Sequence, residues 1–259
     1  MSLTDGHEAR PGTQAVERAI AILECFRGEQ SALGITEIAK AVGLNISTAH
    51  RLMRALVAAG FMEQDQITER YRLGIEIAVL GQRALEQAGY HLAKPVMMQL
   101  AEATGESVSL GIRRNSEVVV IERAASSQPL RFDHPAGAEI QLHASGMGKV
   151  LLAFCGLAPE AAVAQLGSLP RFTDHTIDNP TQLVAALMEI RANGFAVNHE
   201  ERYEGVNGIA APVLGSSGVA RAAIGVQGPA LRMTPARLQE IAPMVRRAAD
   251  DIARLAVRL

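Results

Sequence analysis

The chain has 259 residues and a net charge of −2; 48% of its residues are hydrophobic and 20% charged, which describes a globular protein of one large domain or two ordinary ones. Trp is absent and aromatics make up 3%, so the core must be aliphatic and a single-strand binder built on base-stacking platforms is disfavoured. Two cysteines, Cys25 and Cys155, are too few for a disulfide framework or a four-thiolate metal site, and no apolar run approaches the roughly 20 residues that cross a bilayer, so a cytoplasmic protein is expected.

Residues 1–12 (MSLTDGHEARPG) are polar, lack a signal-like apolar core and are expected to be disordered. A first domain is placed at 13–73. From Gln14 to Phe26 the apolar residues Val16, Ala19, Ile20, Leu23 and Phe26 fall at helical spacing. Thr36 is read as the N-cap of a second helix that runs to about Val42. Gly43 suits a tight turn, and the small Ala39 lets adjacent helices approach. Ser47 is read as the cap of a third helix carrying Leu52, Ala55 and Leu56 inward, ended by Gly60 as a left-handed residue. Phe61–Gln64 and Arg70–Leu73 then form two short strands joined by a polar turn, Asp65–Glu69. Helix, Gly turn, helix and hairpin in that order describe a winged helix-turn-helix, which lays its last helix in the DNA major groove.

Residues 74–89 read as a linker helix, in which Leu73, Ile77, Leu80, Ala84 and Leu85 form an apolar stripe suited to pairing with a second copy. A second domain, 90–259, opens with a helix over His91–Thr104 that has Pro95 in its first turn. Ser107–Arg113 and Glu117–Arg123 read as a hairpin about Arg114–Ser116. Helices are expected from Ser145 to Phe154, at Pro159–Leu166, and at Pro180–Asn193, the last stopped by Gly194. Strands follow at Phe195–Asn198, Gly208–Leu214 and Ala220–Gln227, with Gly215–Gly218 a turn, and a last helix runs from Pro235 to about Val257. Hairpins dominate, so the fold class is α+β, with helices packed on an antiparallel sheet.

Three segments carry candidate chemistry. The first is the helix-turn-helix. Residues 1–73 hold eight Lys/Arg against nine Asp/Glu, yet from Ile38 to Met62 there are Lys40, Arg51 and Arg54 and no acid. Local positive charge is what phosphate contact needs, because neutralised phosphates release counterions. The DNA interface is predicted at Thr36, Asn45, Ser47, Thr48, His50, Arg51 and Arg54, with Arg70 and Arg72 from the wing. So few basic groups per copy call for a dimer. The plain alternative is a three-helix packing motif that meets no nucleic acid.

The second segment is LHASGMGK (142–149), small residues before a helix whose first N–H groups could accept an anion; the competing reading is a Ser145 cap with glycines for close packing. It is not a phosphate loop, because His143 stands where the first Gly should be and Val150 where Ser or Thr should follow Lys149. The third is NHEERYEGVNGIAAPV (198–213), where Asn198, Glu200 and Glu201 are candidate pocket residues, unless they are merely solvated charges at a strand end. His143, His175 and His199 match no compact metal spacing, so no metal and no cofactor is expected. No nucleophile elbow, catalytic Cys pattern or paired-carboxylate spacing stands out, and no catalytic residue is expected.

AVERAIAILECF (15–26), GITEIAKAVGLNISTAHRLMRALVAAGF (34–61), YRLG (71–74), LHASGMGKVLLAF (142–154), GFAVNHEERYEGVNGIAAPV (194–213) and IGVQGPALRMT (224–234) together resemble the IclR family of bacterial transcriptional regulators. The resemblance spans about Gln14 to Arg254. It implies a GAF-like effector domain that binds a small organic acid, and homodimers that often assemble as dimers of dimers on a pseudo-palindromic double-stranded operator. It also implies effector contacts at Gly146, Met147, Phe132, Ile140, Asn198, Val206, Gly208, Gly225 and Gln227. Family members that bind small keto acids tend to have Asp at position 198, Cys at 208 and Ser at 225 and 227. Two of these side chains shrink to glycine here, so a roomier pocket and a bulkier ligand, such as an aromatic or sugar acid, are expected. Two rival classes stay open: an enzyme of small acids whose first domain only mediates assembly, and a GAF-like module sensing a cyclic nucleotide or redox cofactor.

Overall fold

The computed structural model describes residues 13–28 and 30–255. The disorder expected for residues 1–12 and the end of the last helix at Val257 lie outside them. Two compact units divide the chain between Ala84 and Leu85.

The first unit holds α1 (Gln14–Glu24), α2 (Ile35–Ala41), α3 (Ile46–Ala58), the strands β1 (Met62–Gln64) and β2 (Tyr71–Leu73), and most of α4 (Ile75–Gln87). Its core is Ile22, Phe26, Leu33, Ile38, Met53, Met62 and Tyr71. Gly43 and Gly60 both adopt positive φ, so the turn after α2 and the stop after α3 fall where the glycines stand. Both expected caps move. The N-cap of α2 is Gly34 rather than Thr36, and the Gly34 N–H donates to the Glu37 carboxylate at 2.6 Å. The N-cap of α3 is Asn45 rather than Ser47: Asn45 Oδ1 accepts from Thr48 N–H at 2.8 Å and from the Ser47 hydroxyl at 2.9 Å. Ala55, expected inward, is exposed; Ala49 and Met53 are the buried residues of α3. The wing strands pair antiparallel, Met62 with Leu73 and Gln64 with Tyr71, and Leu33 forms a separate antiparallel bridge to Tyr71. Asp65 closes the wing turn by accepting from Ile67 N–H, Thr68 N–H and the Thr68 hydroxyl, and these bonds hold its carboxyl below the usual range.

The second unit is one six-stranded antiparallel sheet between two helical layers. Its strands are β3 (Ser107–Arg114), β4 (Glu117–Ala124), β5 (Glu139–Gln141), β6 (Ala196–His199), β7 (Val206–Leu214) and β8 (Ala220–Pro229), in the order β5-β4-β3-β8-β7-β6. The strand β5 is an addition to the sequence reading. Its partner across the edge is β4, Val118 opposite Ile140. One face of the sheet packs on α5 (Ala93–Thr104) and α9 (Pro235–Leu255), through Val108, Leu110, Ile209, Ala211, Ile224 and Val226. The other face packs on α6 (Gly146–Ala153), α7 (Pro159–Ala164) and α8 (Pro180–Asn193), through Val118, Val120, Ala210 and Ala223. Side chains alternate along a strand. The residues between those of the first face, namely Gly208 and Ala210 on β7 and Ala223, Gly225 and Gln227 on β8, therefore share the face beneath α6. Pairing sets Gly208 opposite Gln227 and Ala210 opposite Gly225.

Candidate functional site

In the first unit the helical period sorts α3 into two sides. Ala49, Met53 and Leu56 recur at i, i+4, i+7 and pack inward, whereas Ser47, His50, Arg51 and Arg54 occupy the opposite side and are exposed. Thr48, at the edge of that side, is partly covered, and Asn45 and Thr36 are exposed at the starts of their helices. Among the described residues, no ion pair engages Lys40, Arg51 or Arg54. Uncompensated cations on an exposed helix face are an electrostatic footprint suited to phosphate. The wing arginines differ. Arg70 donates to the Ala32 carbonyl at 3.0 Å and pairs with Glu37 at 2.7 Å, clamping the wing to the start of α2. Arg72 pairs with Glu63 across the hairpin at 2.9 Å. Both remain substantially exposed, but each already has a carboxylate partner.

In the second unit all nine residues predicted from the resemblance line a single cavity. Gly146 and Met147 start α6; Asn198 lies on β6; Val206 and Gly208 come from β7; Gly225 and Gln227 come from β8; Ile140 and Phe132 close one side. The residues that the sequence reading missed are His134, Ser145, Arg202, Tyr203, Ile209, Ala210 and Val226. Strand alternation could have found Ala210. Arg202 and Tyr203 lie in the polar run between β6 and β7, where Glu200 and Glu201 were the candidates. Those two carboxylates are engaged elsewhere. Glu200 accepts from Gly205 N–H at 2.6 Å, and Glu201 forms a buried ion pair with Lys149, whose ammonium also donates to the Val197 carbonyl at 2.8 Å.

The loop bearing Arg202 is tied down on both sides. The Thr173 hydroxyl donates to the Glu200 carbonyl at 2.7 Å and the Thr176 hydroxyl to the Glu201 carbonyl at 2.6 Å, while Glu201 N–H donates to Asn198 Oδ1 at 2.9 Å. The start of α6 is equally constrained. Ser145 Oγ accepts from Gly148 N–H at 3.0 Å, and a Cβ on Gly148 would lie 2.2 Å from the Leu142 carbonyl oxygen. The Ser145 cap and the close-packed glycine are therefore both real. They coexist with Gly146 and Met147 at the cavity, the first two helical residues, whose N–H groups have no intrahelical acceptor.

An aromatic group stands opposite. Phe132 meets His134 edge-on at 4.9 Å and Tyr203 at 5.2 Å between ring centroids. Burial, with the Arg202 charge second, pushes His134 down to about 4, so its imidazole is neutral near pH 7. Gln227 donates to Ser109 Oγ at 2.7 Å. The free space is about 30 Å³, room for only about two water molecules. The expected enlargement by glycine is offset in this conformation: a Cβ on Gly225 would sit 2.9 Å from Met147 Cγ, so the methionine fills the vacated volume. Met has three rotatable side-chain bonds and can give that volume back.

The family's helix-turn-helix model matches residues 15–66, and the model for the C-terminal region of IclR-type bacterial transcriptional regulators matches residues 84–254. The chain belongs to the IclR family. It is 37% identical over 95% of its length to the HTH-type transcriptional regulator BhcR of Paracoccus denitrificans, 88% of which is covered. It is 32% identical over 94% of its length to the transcriptional repressor AllR of Salmonella paratyphi A, with 90% of that protein covered. Among solved structures, an IclR homologue from Microbacterium hydrocarbonoxydans, crystallised with 4-hydroxybenzoate, superposes with a TM-score of 0.81 at 25% identity, over 95% of this chain and 99% of that one. As an IclR-family protein, the chain is a transcriptional regulator with an N-terminal DNA-binding domain and a C-terminal effector-binding domain, and the enzyme reading is set aside. Among the described residues no cluster of His, Cys, Asp or Glu could hold a metal, and no helix is long and apolar enough to cross a membrane.

Proposed function

We propose that this IclR-family regulator binds a pseudo-palindromic operator in the cytoplasm as a homodimer, itself able to pair into a dimer of dimers, and that a small organic acid in the cavity beneath α6 changes its grip on DNA. The recognition surface is the exposed side of α3, with Arg51 and Arg54 at its centre, flanked by Asn45, Ser47, Thr48 and His50. Thr36 and the wing residues Arg70 and Arg72 fix the register on phosphates, which position a protein on the duplex without reading sequence.

The observation that carries the effector half is the convergence of all nine predicted residues on one cavity with free helix N–H groups, a cation and aromatic walls. The relative crystallised with 4-hydroxybenzoate supports a carboxylic acid of that size, for which Met147 must move aside. Dimerisation is supported by α4, none of whose residues is buried, and on which Ile75, Val79 and Leu80 lie open to solvent. Because α4 runs across the junction between the units, it is the segment through which effector binding reaches the DNA-binding domain. The effector acts by favouring one of two conformations that differ in operator affinity.

Sedimentation velocity and DNase footprinting on the DNA upstream of the protein's own gene test this reading. A dimer or tetramer with protections centred about 34 Å apart, or a multiple of that, is expected. A monomer that protects a single half-site would contradict it.

A further inference from the structure

Arg202 stands out among the cavity-lining residues. Its Nε is buried and has no hydrogen-bond partner. Its guanidinium carbon lies 3.8 Å from the Phe172 ring centroid and 5.2 Å from that of Tyr203, within cation–π range of both rings. No ion pair to Arg202 occurs among the described residues; the neighbouring Glu201 pairs with Lys149 through one carboxylate oxygen, and its other oxygen is buried without a hydrogen-bond partner. The cavity wall contains no Asp, Glu or Lys. Its formal charge therefore rests on one guanidinium, beside neutral polar groups from Asn198, Gln227 and Ser145. A buried N–H without an acceptor is costly in an apolar setting, and a guanidinium fork matches a carboxylate bidentately.

We infer that Arg202 is the carboxylate anchor of this cavity and that it sets a preference for monoanions, with the remainder of the ligand lying against Phe132, Tyr203 and Met147. The inference rests on the reading of the cavity as the effector site. One carboxylate neutralises Arg202 and supplies the acceptor that Nε lacks. A second carboxylate would be buried with no cation facing it, a costly state for an ion removed from water. A neutral amide of the same shape would leave the guanidinium without its counter-charge. Phe172 and Tyr203 act as positioning residues, because they hold the guanidinium in place.

Isothermal titration of the full-length protein tests this with 4-hydroxybenzoate, phenylpyruvate and pyruvate, each beside its neutral amide, and with terephthalate and oxaloacetate as dianions. The tightest monocarboxylate is expected to exceed its amide and the dianions by about 10–100-fold, the range of a charge-assisted hydrogen bond. Arg202→Gln should lose that preference and Arg202→Lys should keep part of it; circular dichroism checks that both variants fold. The wild-type comparison of acid with amide needs no variant. Amide or dianion binding as tight as the monoacid, or an unchanged preference in Arg202→Gln, overturns the inference. Val206→Phe, which narrows the cavity, separates the two levels. Acid binding lost in Val206→Phe but unchanged in Arg202→Gln keeps the effector site and removes Arg202 from it. Acid binding unchanged in both, or no binding of any probe to the wild type, removes the effector site as well.

Discussion

Replacing Arg51 with alanine separates DNA recognition from folding. Arg51 is exposed on α3 between Ser47 and Arg54, and among the described residues it has no ion-pair partner. Its truncation therefore leaves stability within about 0.5 kcal/mol of the wild type, the usual range for a surface substitution that breaks no named interaction. On the operator the effect is of another size. A bidentate contact to a base edge is worth about 1–3 kcal/mol. A symmetric dimer loses the contact twice, so affinity should fall by roughly 30-fold to 10⁴-fold at about 1.4 kcal/mol per factor of ten. If Arg51 touches phosphate instead, the loss is smaller, but the slope of log K against log salt should flatten by about 0.9 for each contact removed, hence by about 1.8 for the two copies of a dimer. Fluorescence anisotropy with a labelled operator at several salt concentrations measures both quantities. An affinity and a slope both equal to wild type would refute the placement of Arg51 at the interface.

Other expectations concern the second unit. Gly148→Ala should destabilise the effector domain by about 1–3 kcal/mol or more, since the new Cβ would lie 2.2 Å from backbone and force α6 to shift; differential scanning calorimetry would show a melting temperature lowered by at least several degrees, and an unchanged one would count against this packing. Stability should also fall as pH drops. Burial lowers the pKa of both His134, to about 4, and His143, so the unfolded chain binds more protons below about pH 6.5 and stabilisation by the neutral rings is lost through that window. Denaturant titration of His134→Gln between pH 7 and 4.5 should give a shallower pH dependence than wild type, and an identical profile would remove His134 as a contributor.

The fold was legible wherever punctuation and period agreed. Gly43, Gly60 and Gly194 mark turns because each takes positive φ, and Asn179 and Pro180 open α8 with a cap and a fixed φ. Errors came where two chemistries compete for one role. Asn45 and Ser47 are both good caps, and only the geometry shows that Ser47 donates to Asn45. Gly34 offers no side chain, so the cap of α2 is visible only through Glu37 reaching back. Alanine is too small to announce its side: the spacing predicts Ala55 inward, whereas Ala49 is the buried alanine of α3. Three residues are too few for β5 to display an alternating pattern.

The cavity was legible through family motifs rather than through chemistry. A charged loop such as NHEERYEG reads as solvated until distant residues are added. Arg202 gains its meaning from Phe172, and Gly225 from Met147, neither of which is near in sequence. Conversely, Glu200 and Glu201 looked like pocket groups, but the loop is built on them: one carboxylate closes it through Gly205 N–H and the other neutralises Lys149.

Coupling between the two units is tested most directly by operator affinity with and without an acid that occupies the cavity. Anisotropy titrations would use saturating 4-hydroxybenzoate or whichever monocarboxylate binds tightest, with wild type and Arg202→Gln side by side. The operator Kd of the wild type should shift by about 5–150-fold, the usual span of allosteric coupling, and that of Arg202→Gln by much less at the same ligand concentration. Calorimetric saturation of the wild type by the acid with no change in its operator Kd would contradict the proposed role of the cavity.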